Sequence, residues 1–317
     1  MTKNWFKWLL ALSAVTALAA CGDDDDPPAP VGNIVQVAQA NGFNALAAAA
    51  TKAGVVPTLS DANAQLTVFA PTDAAFDTLA TRLGFANATA LVNALPAATL
   101  ANILSYHVLP ERKTAAGLAA GGTSQATAYS YEGAPATLAL NTGSGVVITD
   151  AVLTTSRVVA ADVVASNGIV HAVDKVLVPP GVLDLVQIAR VNPAFSTLAG
   201  AVVQAGLQGT LSGAGPFTVF APTNDAFAAV ASTVAGLSNA QLTTVLTYHV
   251  VPGRVLAADI PFGTALGTVA GQNITVNASP LSITDGTATP APILATDVRA
   301  SNGVIHVIGK VLIPAAL

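Results

Sequence analysis

Two stretches of this 317-residue chain carry almost the same sequence, SNGIVHAVDKVLVP at Ser166–Pro179 and SNGVIHVIGKVLIP at Ser301–Pro314. Each contains one of only four histidines, His171 or His306, with β-branched residues on both sides. Such neighbours are typical of a buried strand. A buried imidazole needs hydrogen-bond partners, so we predict that each histidine holds a neighbouring strand or loop in place.

The Asn-Gly pair at the start of each stretch is a strong signal for a tight turn. The first pair is Asn167-Gly168 and the second is Asn302-Gly303. We therefore read each stretch as a turn, a strand that contains the histidine, and a final proline that stops the strand.

Two more pairs of matching blocks show that the repeat is much longer. LTVFAPTDAAF (66–76) and FTVFAPTNDAF (217–227) agree at 8 of 11 positions, and ILSYHVLPERK (103–113) and VLTYHVVPGRV (245–255) agree at 6 of 11. All three blocks occur in the same order in both copies. A pattern with only two copies indicates a tandem of domains and not a solenoid of small stacked units.

The boundary between the copies is predicted at Pro179-Pro180-Gly181, because two prolines end a strand and cannot join a central ladder. This gives a first domain at 31–178 and a second at 182–314. Each copy has a complete set of blocks, which predicts that the two domains fold independently.

Helical patterns precede strand patterns in each copy. A helix is expected over 43–53, ended by Gly54, and a short strand at 67–70 is followed by a helix with Thr72 as its N-cap. Thr223 takes the same place in the second copy. Later segments alternate short β-rich runs with turn residues. This order predicts an α+β fold. Ser, Thr and Ala in AGGTSQATAYS (120–130) indicate an exposed strand or loop where binding specificity could lie.

The TVFAPT block, the Tyr-His pair and the SNG-hydrophobic-hydrophobic-His block together resemble the fasciclin domain family. The resemblance covers nearly all of residues 31–314 and implies, for each copy, a wedge of β-strands with several packed helices. It also implies a secreted or membrane-anchored protein that acts in adhesion or matrix contact and is not an enzyme.

The resemblance further implies candidate partner-binding residues at two places. One is an Asp-Ile pair before the SNG block, which corresponds to Asp162-Val163 and Asp297-Val298 here, with valine in place of isoleucine. The other is the Tyr-His pair, Tyr106-His107 and Tyr248-His249. The aspartates have an alternative role, closing the turn before Ser-Asn-Gly.

Composition excludes several classes of function. Charged residues are 9% of the chain and the net charge is −5, with no basic cluster beyond Lys3 and Lys7. Nucleic-acid binding needs clustered Lys and Arg, so it is not expected. The single cysteine, Cys21, excludes an internal disulfide framework and a cysteine-rich metal site.

The four histidines also allow a chemical interpretation. His107 with His171, or His249 with His306, would supply two metal ligands if they met in space, but tetrahedral sites need three or four. No G-x-S-x-G nucleophile motif accompanies them. We therefore expect a structural role, with no metal, no cofactor and no enzymatic activity.

The N-terminus resembles a signal peptide followed by a site for a lipid anchor. Residues 1–20 have a positive start, a short apolar core and small residues before the cysteine, as in a signal peptide. The sequence LAAC ending at Cys21 resembles a bacterial lipobox, which implies acylation of that cysteine. The acidic and proline-rich residues 21–30 are expected to form an extended tether.

The sequence is compatible with two functions. The first is a lipid-anchored adhesion or matrix-interaction protein of the bacterial cell envelope, at the outer membrane or cell surface, with a protein or polysaccharide partner. The alternative is a carrier of a small apolar ligand, a pigment or lipid, in a crevice between the domains. Aromatic residues to line such a crevice are few, at 5% of the chain.

Overall fold

The fold is taken from a computed structural model that describes residues 32–143 and 145–316. The signal peptide, Cys21 and most of the tether lie outside the described residues. Residues Val31–Leu317 form one compact unit, which contains both repeats.

The first repeat places most of its helices before its strands. Its elements are α1 (Ile34–Ala40), α2 (Asn44–Ala53), α3 (Val56–Leu59), β1 (Leu66–Pro71), α4 (Asp73–Leu83), α5 (Ala88–Ala94), α6 (Ala97–Tyr106), β2 (Val108–Leu109), α7 (Ala115–Ala120), β3 (Ser124–Tyr131), β4 (Ala134–Asn141), β5 (Val147–Thr149), β6 (Thr155–Ala165) and β7 (Gly168–Val173).

The second repeat has the same plan, with short 3₁₀ turns at Pro193–Phe195 and Ala257–Asp259. Its elements are α8 (Leu185–Val191), α9 (Ser196–Gln204), α10 (Gln208–Leu211), β8 (Phe217–Pro222), α11 (Asn224–Ala228), α12 (Ala231–Ala235), α13 (Asn239–Tyr248), β9 (Val250–Pro252), β10 (Ala265–Gly267), β11 (Asn273–Ala278), β12 (Leu281–Thr284), β13 (Ala291–Ala300) and β14 (Gly303–Ile308).

Each repeat forms a seven-stranded sheet with the same topology, β2-β1-β7-β6-β5-β4-β3 in the first and β9-β8-β14-β13-β12-β11-β10 in the second. The strand from the TVFAPT block pairs in parallel with the histidine strand, β1 with β7 and β8 with β14, and the other named pairs are antiparallel. The predicted α+β architecture is confirmed.

Local sequence signals explain where the helices begin and end. Thr72 caps α4 by accepting a hydrogen bond from the Ala75 amide at 3.2 Å, and Thr223 caps α11 by accepting one from the Ala226 amide at 3.3 Å. Gly54 ends α2 at φ +71°, a left-handed conformation that glycine adopts without a Cβ penalty.

The glycine of each Asn-Gly pair has a different role from the one expected. The turn consists of Ser166 and Asn167, and Gly168 is already the first residue of β7. A Cβ at Gly168 would lie 2.2 Å from the Leu66 carbonyl oxygen, and one at Gly303 would lie 2.1 Å from the Phe217 carbonyl oxygen. Glycine is therefore needed because the parallel strands approach so closely, and not because a turn requires positive φ.

The buried side chains do not separate at the boundary between the repeats. One hydrophobic cluster is confined to the strand side of the first repeat and another to that of the second. The cluster on the helical side contains residues of both repeats, from Ile34 through Val152 and Val191 to Val311. The repeats thus share part of their core, and each also has a cluster of its own.

Hydrogen bonds also cross this boundary. The Arg82 guanidinium donates to the Val191 carbonyl oxygen at 2.6 Å, and the Asn192 amide donates to the Val152 carbonyl oxygen at 2.8 Å. Both bonds lie next to the shared cluster, so they hold the repeats together where their helical sides meet.

Within residues 32–143 and 145–316, no single helix has the length and apolar character needed to cross a membrane. Helices α5 and α6 pass that test only when taken together, and they are bent by 117° relative to each other.

Candidate functional site

The strand histidines bridge the sheet to the loop that follows the Tyr-His block. His171 Nδ1 accepts the Asp162 amide at 3.2 Å, and its Nε2 donates to the Lys113 carbonyl oxygen at 3.0 Å. His306 repeats this arrangement with the Asp297 amide at 3.4 Å and the Val255 carbonyl oxygen at 2.9 Å. Both side chains are fully buried. These bonds require the neutral tautomer with the proton on Nε2.

The other two histidines use their ring nitrogens the other way round, with Nδ1 as the donor and Nε2 as the acceptor. His107 Nδ1 donates to the Ile103 carbonyl oxygen at 2.7 Å, and its Nε2 accepts the Leu177 amide at 2.9 Å. His249 bonds the Val245 carbonyl oxygen at 2.8 Å and the Leu312 amide at 2.8 Å in the same way. Each therefore ties the end of a helix, α6 or α13, to the segment after the histidine strand.

Burial keeps the histidines neutral. It lowers the pKa of His107 and of His249 to about 4, although the hydrogen bond to the helix carbonyl raises the pKa by a smaller amount. Burial also lowers the pKa of His171 and His306. Protonation would force a ring nitrogen that accepts a backbone N–H to carry a hydrogen of its own, so charging any of the four breaks a buried bond.

The ring nitrogens have no lone pair to spare for a metal. Each of the four histidines uses one nitrogen as a donor to a carbonyl and the other as an acceptor from an amide. Among the described residues, no group of three or more His, Cys, Asp or Glu side chains has the arrangement of a metal site.

Asp162 and Asp297 lie inside β6 and β13 and not in a turn, so they do not close the turn before Ser-Asn-Gly. Both have positive φ, 60° and 61°. They occupy a bulge where the pairing of β6 with β7, and of β13 with β14, shifts register. Left-handed backbone at a non-glycine residue is uncommon, although aspartate tolerates it better than most.

The bulge turns each aspartate amide towards the histidine and its carboxylate towards a helical segment. Asp162 accepts the Ala115 amide at 2.8 Å, and Asp297 accepts the Ala257 amide at 2.9 Å. The bulge, the histidine and the loop after the Tyr-His block therefore form one connected unit. This arrangement gives a physical reason for the SNG-His block and the Tyr-His block to occur together.

Burial divides the candidate partner-binding residues into two groups. Tyr106, His107, Tyr248, His249 and Val298 are all at most 2% exposed, so their side chains do not meet a partner at the surface of the folded domain. Asp162 is exposed, and Val163 and Asp297 are partly so.

The tyrosines have a structural task instead. The Tyr106 hydroxyl donates to the Thr137 carbonyl oxygen and the Tyr248 hydroxyl to the Asn273 carbonyl oxygen, both at 2.9 Å.

Asn167, which is buried, and Asn302, which is partly buried, each join several chain segments, a role that the sequence did not predict. Asn167 accepts the Ile34 amide at the start of α1 and donates to the Leu59 and Asp61 carbonyl oxygens, each bond at 2.9 Å. Asn302 does the same for the Leu185 amide at the start of α8 and for the carbonyl oxygens of Leu211 and Gly213 at the end of α10. One asparagine per repeat thus ties three chain segments together.

A buried aspartate in each repeat was also missed. Asp150 accepts three amides and the Thr154 hydroxyl, and burial raises its pKa to about 6 in spite of them. Its counterpart Asp285 forms an ion pair with Lys310 at 3.1 Å. Burial works against ionisation of Asp285 as well, but hydrogen bonds from Thr287, Ile313 and Lys310 outweigh it and lower the pKa. The sequence does carry a signal for these aspartates, because Asp150 aligns with Asp285 and Lys175 aligns with Lys310 when the repeats are matched.

A surface groove lined by Asn44, Asp73 and Asp77 holds about 400 Å³, but the apolar cavities are much smaller. One apolar cavity in each repeat lies beneath the first helix, lined partly by His107 in the first and His249 in the second, and each holds about 30 Å³. A crevice between the repeats, lined partly by Arg82 and Lys175, also holds about 30 Å³. Drug-sized ligands occupy pockets of roughly 300–1,000 Å³, so these cavities and the crevice between the repeats have room for about one water molecule each.

Comparison with known proteins decides the family. The Fasciclin domain model matches residues 41–179 and again 193–314, which is most of the chain. The chain belongs to the fasciclin family. It contains two tandem fasciclin domains, each with its own sheet and packed helices.

Two curated proteins show the range of its fasciclin relatives. Protein sll1483 of Synechocystis is 45% identical over 139 residues, which are 42% of this chain and 74% of that protein. Transforming growth factor-beta-induced protein ig-h3 of Sus scrofa is 36% identical over 155 residues, 47% of this chain but only 22% of that protein.

Among solved structures, the FAS1 domain pair from the insect cell adhesion molecule Fasciclin I covers 88% of this chain and 95% of its own, with 19% identity and a TM-score of 0.42.

Proposed function

We propose that this fasciclin protein is a lipid-anchored adhesion or matrix-contact protein of a bacterial cell envelope. Fasciclin domains are linked to adhesion and extracellular-matrix interaction in homologues, which are secreted or surface proteins and not enzymes. The lipobox-like sequence before Cys21 supports an anchor, and two acyl chains on one cysteine would hold a protein stably at a membrane.

The observation that carries the proposal is the bulge of the first domain. In the family blocks, the side chains of the histidines, tyrosines and asparagines are hydrogen-bonded to backbone groups, whereas Asp162 stays exposed on β6. The buried polar groups of the blocks are thus already hydrogen-bonded within the domains, and Asp162 is left at the surface. That arrangement suits contact with a macromolecule better than catalysis.

The anchor is tested by Cys21→Ser. We expect the variant to appear as soluble or unprocessed protein, because the acylated residue is gone. A fully processed variant that remains in the membrane fraction would refute the lipoprotein part of the proposal.

Adhesion is tested with the soluble domains, residues 31–317, immobilised on beads and exposed to intact cells or matrix from the native environment. Specific retention of a protein or polysaccharide is the expected result. An apolar ligand that copurifies in a one-to-one ratio, without any surface partner, would favour the carrier alternative. The apolar cavities and the crevice between the repeats, at about 30 Å³ each, are too small for such a ligand, so that result is unexpected.

A further inference from the structure

The first domain has a helix, α5, that the second domain lacks. Leu66 aligns with Phe217, 151 positions later, whereas Ile103 aligns with Val245, only 142 positions later. The first repeat is therefore nine residues longer between these two blocks. Helix α5 lies in this longer stretch, because α4 corresponds to α11 and α12 together, and α6 corresponds to α13.

Two charged residues hold this extra helix in place. The Ala88 amide, at the start of α5, donates to Asp77 Oδ1 at 2.8 Å. The Lys52 ammonium donates to two carbonyl oxygens in the last turn of α5, at 3.0 and 2.7 Å. The second repeat has Ala228 in place of Asp77 and Gln204 in place of Lys52. Both anchoring residues thus occur only in the repeat that has the helix.

Helix α5 forms one wall of the groove of about 400 Å³, and α2 and α4 supply the others. This volume lies within the range of roughly 300–1,000 Å³ that small-molecule sites occupy. Part of the lining is apolar, from Ala45, Ala48, Ala88 and Val92. The rest is polar, from Asn44, Asp73, Asp77, Thr89 and Asn93. The groove therefore offers both an apolar surface and hydrogen-bonding groups to one ligand.

The polar side chains of the groove keep hydrogen-bonding capacity for a ligand. Asp77 bonds the helix through Oδ1, and its Oδ2 accepts no hydrogen bond from another described residue. The Thr89 hydroxyl and the Asn93 side-chain amide likewise make no hydrogen bond within the described part of the chain, and all three residues are exposed. Acceptors and donors thus face solvent along one groove.

The charges in the groove favour a neutral ligand over a cation. Asp73 accepts the Ala45 amide and Asp77 accepts the Ala88 amide, both at 2.8 Å, and such charge-assisted bonds stabilise the carboxylates without a cation. The Lys52 ammonium is bound to α5 beside them. Among the described residues, no group of carboxylates and histidines has the arrangement of a metal site. Hydroxyl groups, which both donate and accept, suit this mixture of side chains.

We propose that this groove binds a sugar ring of a neutral polysaccharide. The inference rests on the proposed function, since it names the chemical class of the adhesion partner. Ring hydroxyls would donate to Asp77 Oδ2 and exchange hydrogen bonds with Thr89 and Asn93, while the C–H face of the ring would cover Ala48 and the apolar lining. The site belongs to the first domain alone, because it depends on α5.

The probes are three neutral trisaccharides, cellotriose, mannotriose and triacetylchitotriose. Each is titrated into residues 31–317, and the NMR shifts of the backbone amides are followed. We expect saturable shifts with at least one of them, largest in α2 and α5 and unchanged by added salt, because no ion pair with the ligand is involved. Deacetylated chitotriose, which carries ammonium groups on the same backbone, is the comparison for a cationic ligand.

Two variants test the groove, and a third is the matched control. Ala48→Gln places a longer side chain in the groove and should weaken sugar binding at least fivefold, and Asn93→Ala should weaken it at least threefold. Gly200→Gln makes the first change at the aligned position of the second repeat and should alter binding less than twofold. All three positions are exposed, so urea unfolding should show that each variant still folds cooperatively.

The proposal fails if none of the neutral trisaccharides saturates, if Ala48→Gln and Asn93→Ala bind them as well as the native chain does, or if only the cationic sugar binds. A protein that still adheres to cells or matrix but binds no neutral sugar would refute this groove and leave the adhesion function standing. Sugar binding in the groove without any adhesion would do the reverse.

Discussion

Acid should destabilise this protein well before its ordinary carboxylates are protonated, and the buried histidines are the reason. The pKa of His107 and His249 is about 4 in the folded chain, against about 6.5 in an unfolded one. A lowered pKa in the folded state means that the unfolded chain binds the proton first. The stability due to these groups is thus complete above pH 6.5 and is lost as the pH falls towards 4.

The size of the effect follows from the two pKa values. One pKa unit is worth about 1.4 kcal/mol, so each histidine loses about 3.4 kcal/mol over the whole range and about 2 kcal/mol by pH 5. His171 and His306 act in the same direction, since burial lowers their pKa as well.

Asp150 acts in the opposite direction. Its pKa is raised to about 6 by burial, so the folded chain takes up this proton before the unfolded one does. Its contribution is complete below the unfolded value of about 4 and is lost as the pH rises through 6, which returns about 1.4 kcal/mol by pH 5. The second domain has no such compensation, because hydrogen bonds and Lys310 lower the pKa of Asp285.

The test is urea unfolding of residues 31–317 between pH 7.5 and pH 5, with NMR of the imidazole rings in the same samples. We expect a net loss of about 2–3 kcal/mol from His107, His249 and Asp150 together, with no titration of His107 or His249 above pH 5. The rings should show the proton on Nδ1 in His107 and His249, and on Nε2 in His171 and His306. A flat stability profile, or histidines that titrate near pH 6.5, would refute the reasoning.

Three further predictions concern packing. Gly303→Ala should cost about 1–3 kcal/mol, because its Cβ meets a strand backbone. Gly200→Ala, at an exposed position of α9 with nothing within 4 Å, should gain up to about 1 kcal/mol; equal effects in thermal unfolding would contradict this prediction. His306→Ala should leave the Asp297 amide and the Val255 carbonyl unpaired and cost about 1–3 kcal/mol per group, and zinc should shift the melting temperature of neither form. Urea should unfold residues 31–317 in one transition observed by probes in both domains, because they share a cluster; two separate transitions would show that the shared contacts are weak.

The sequence predicted the fold well because the repeats supplied an internal comparison. Blocks that recur at matching positions identified the domains, and local signals such as Thr72 and Gly54 marked helix ends that the structure confirms. The buried strand histidines were also readable, since β-branched neighbours leave few other places for them. What such patterns report is local chain geometry and burial.

Long-range contacts could not be predicted from these local patterns. The bulge at Asp162 depends on how β6 meets β7, and nothing near this residue in the sequence signals a register shift. The burial of Tyr106 and His107 depends on a helix end meeting a segment 70 residues later. The shared cluster, and the ion pairs of Glu132 with Arg254 and Arg299, depend on how the two domains meet. Matching blocks within each domain do not encode that property.

The joint between the domains has a consequence for how the protein would be shed or degraded. Proteases cut where several residues of exposed chain can leave the surface. Here the Leu177 amide is held by His107, the Val178 amide by Asp150, the Pro180 carbonyl by Tyr129 and the Gly181 amide by Arg299. Enzymes that attack only the native surface would find no loose chain at this boundary, so proteolysis of the folded protein would leave the two domains joined in one undivided piece.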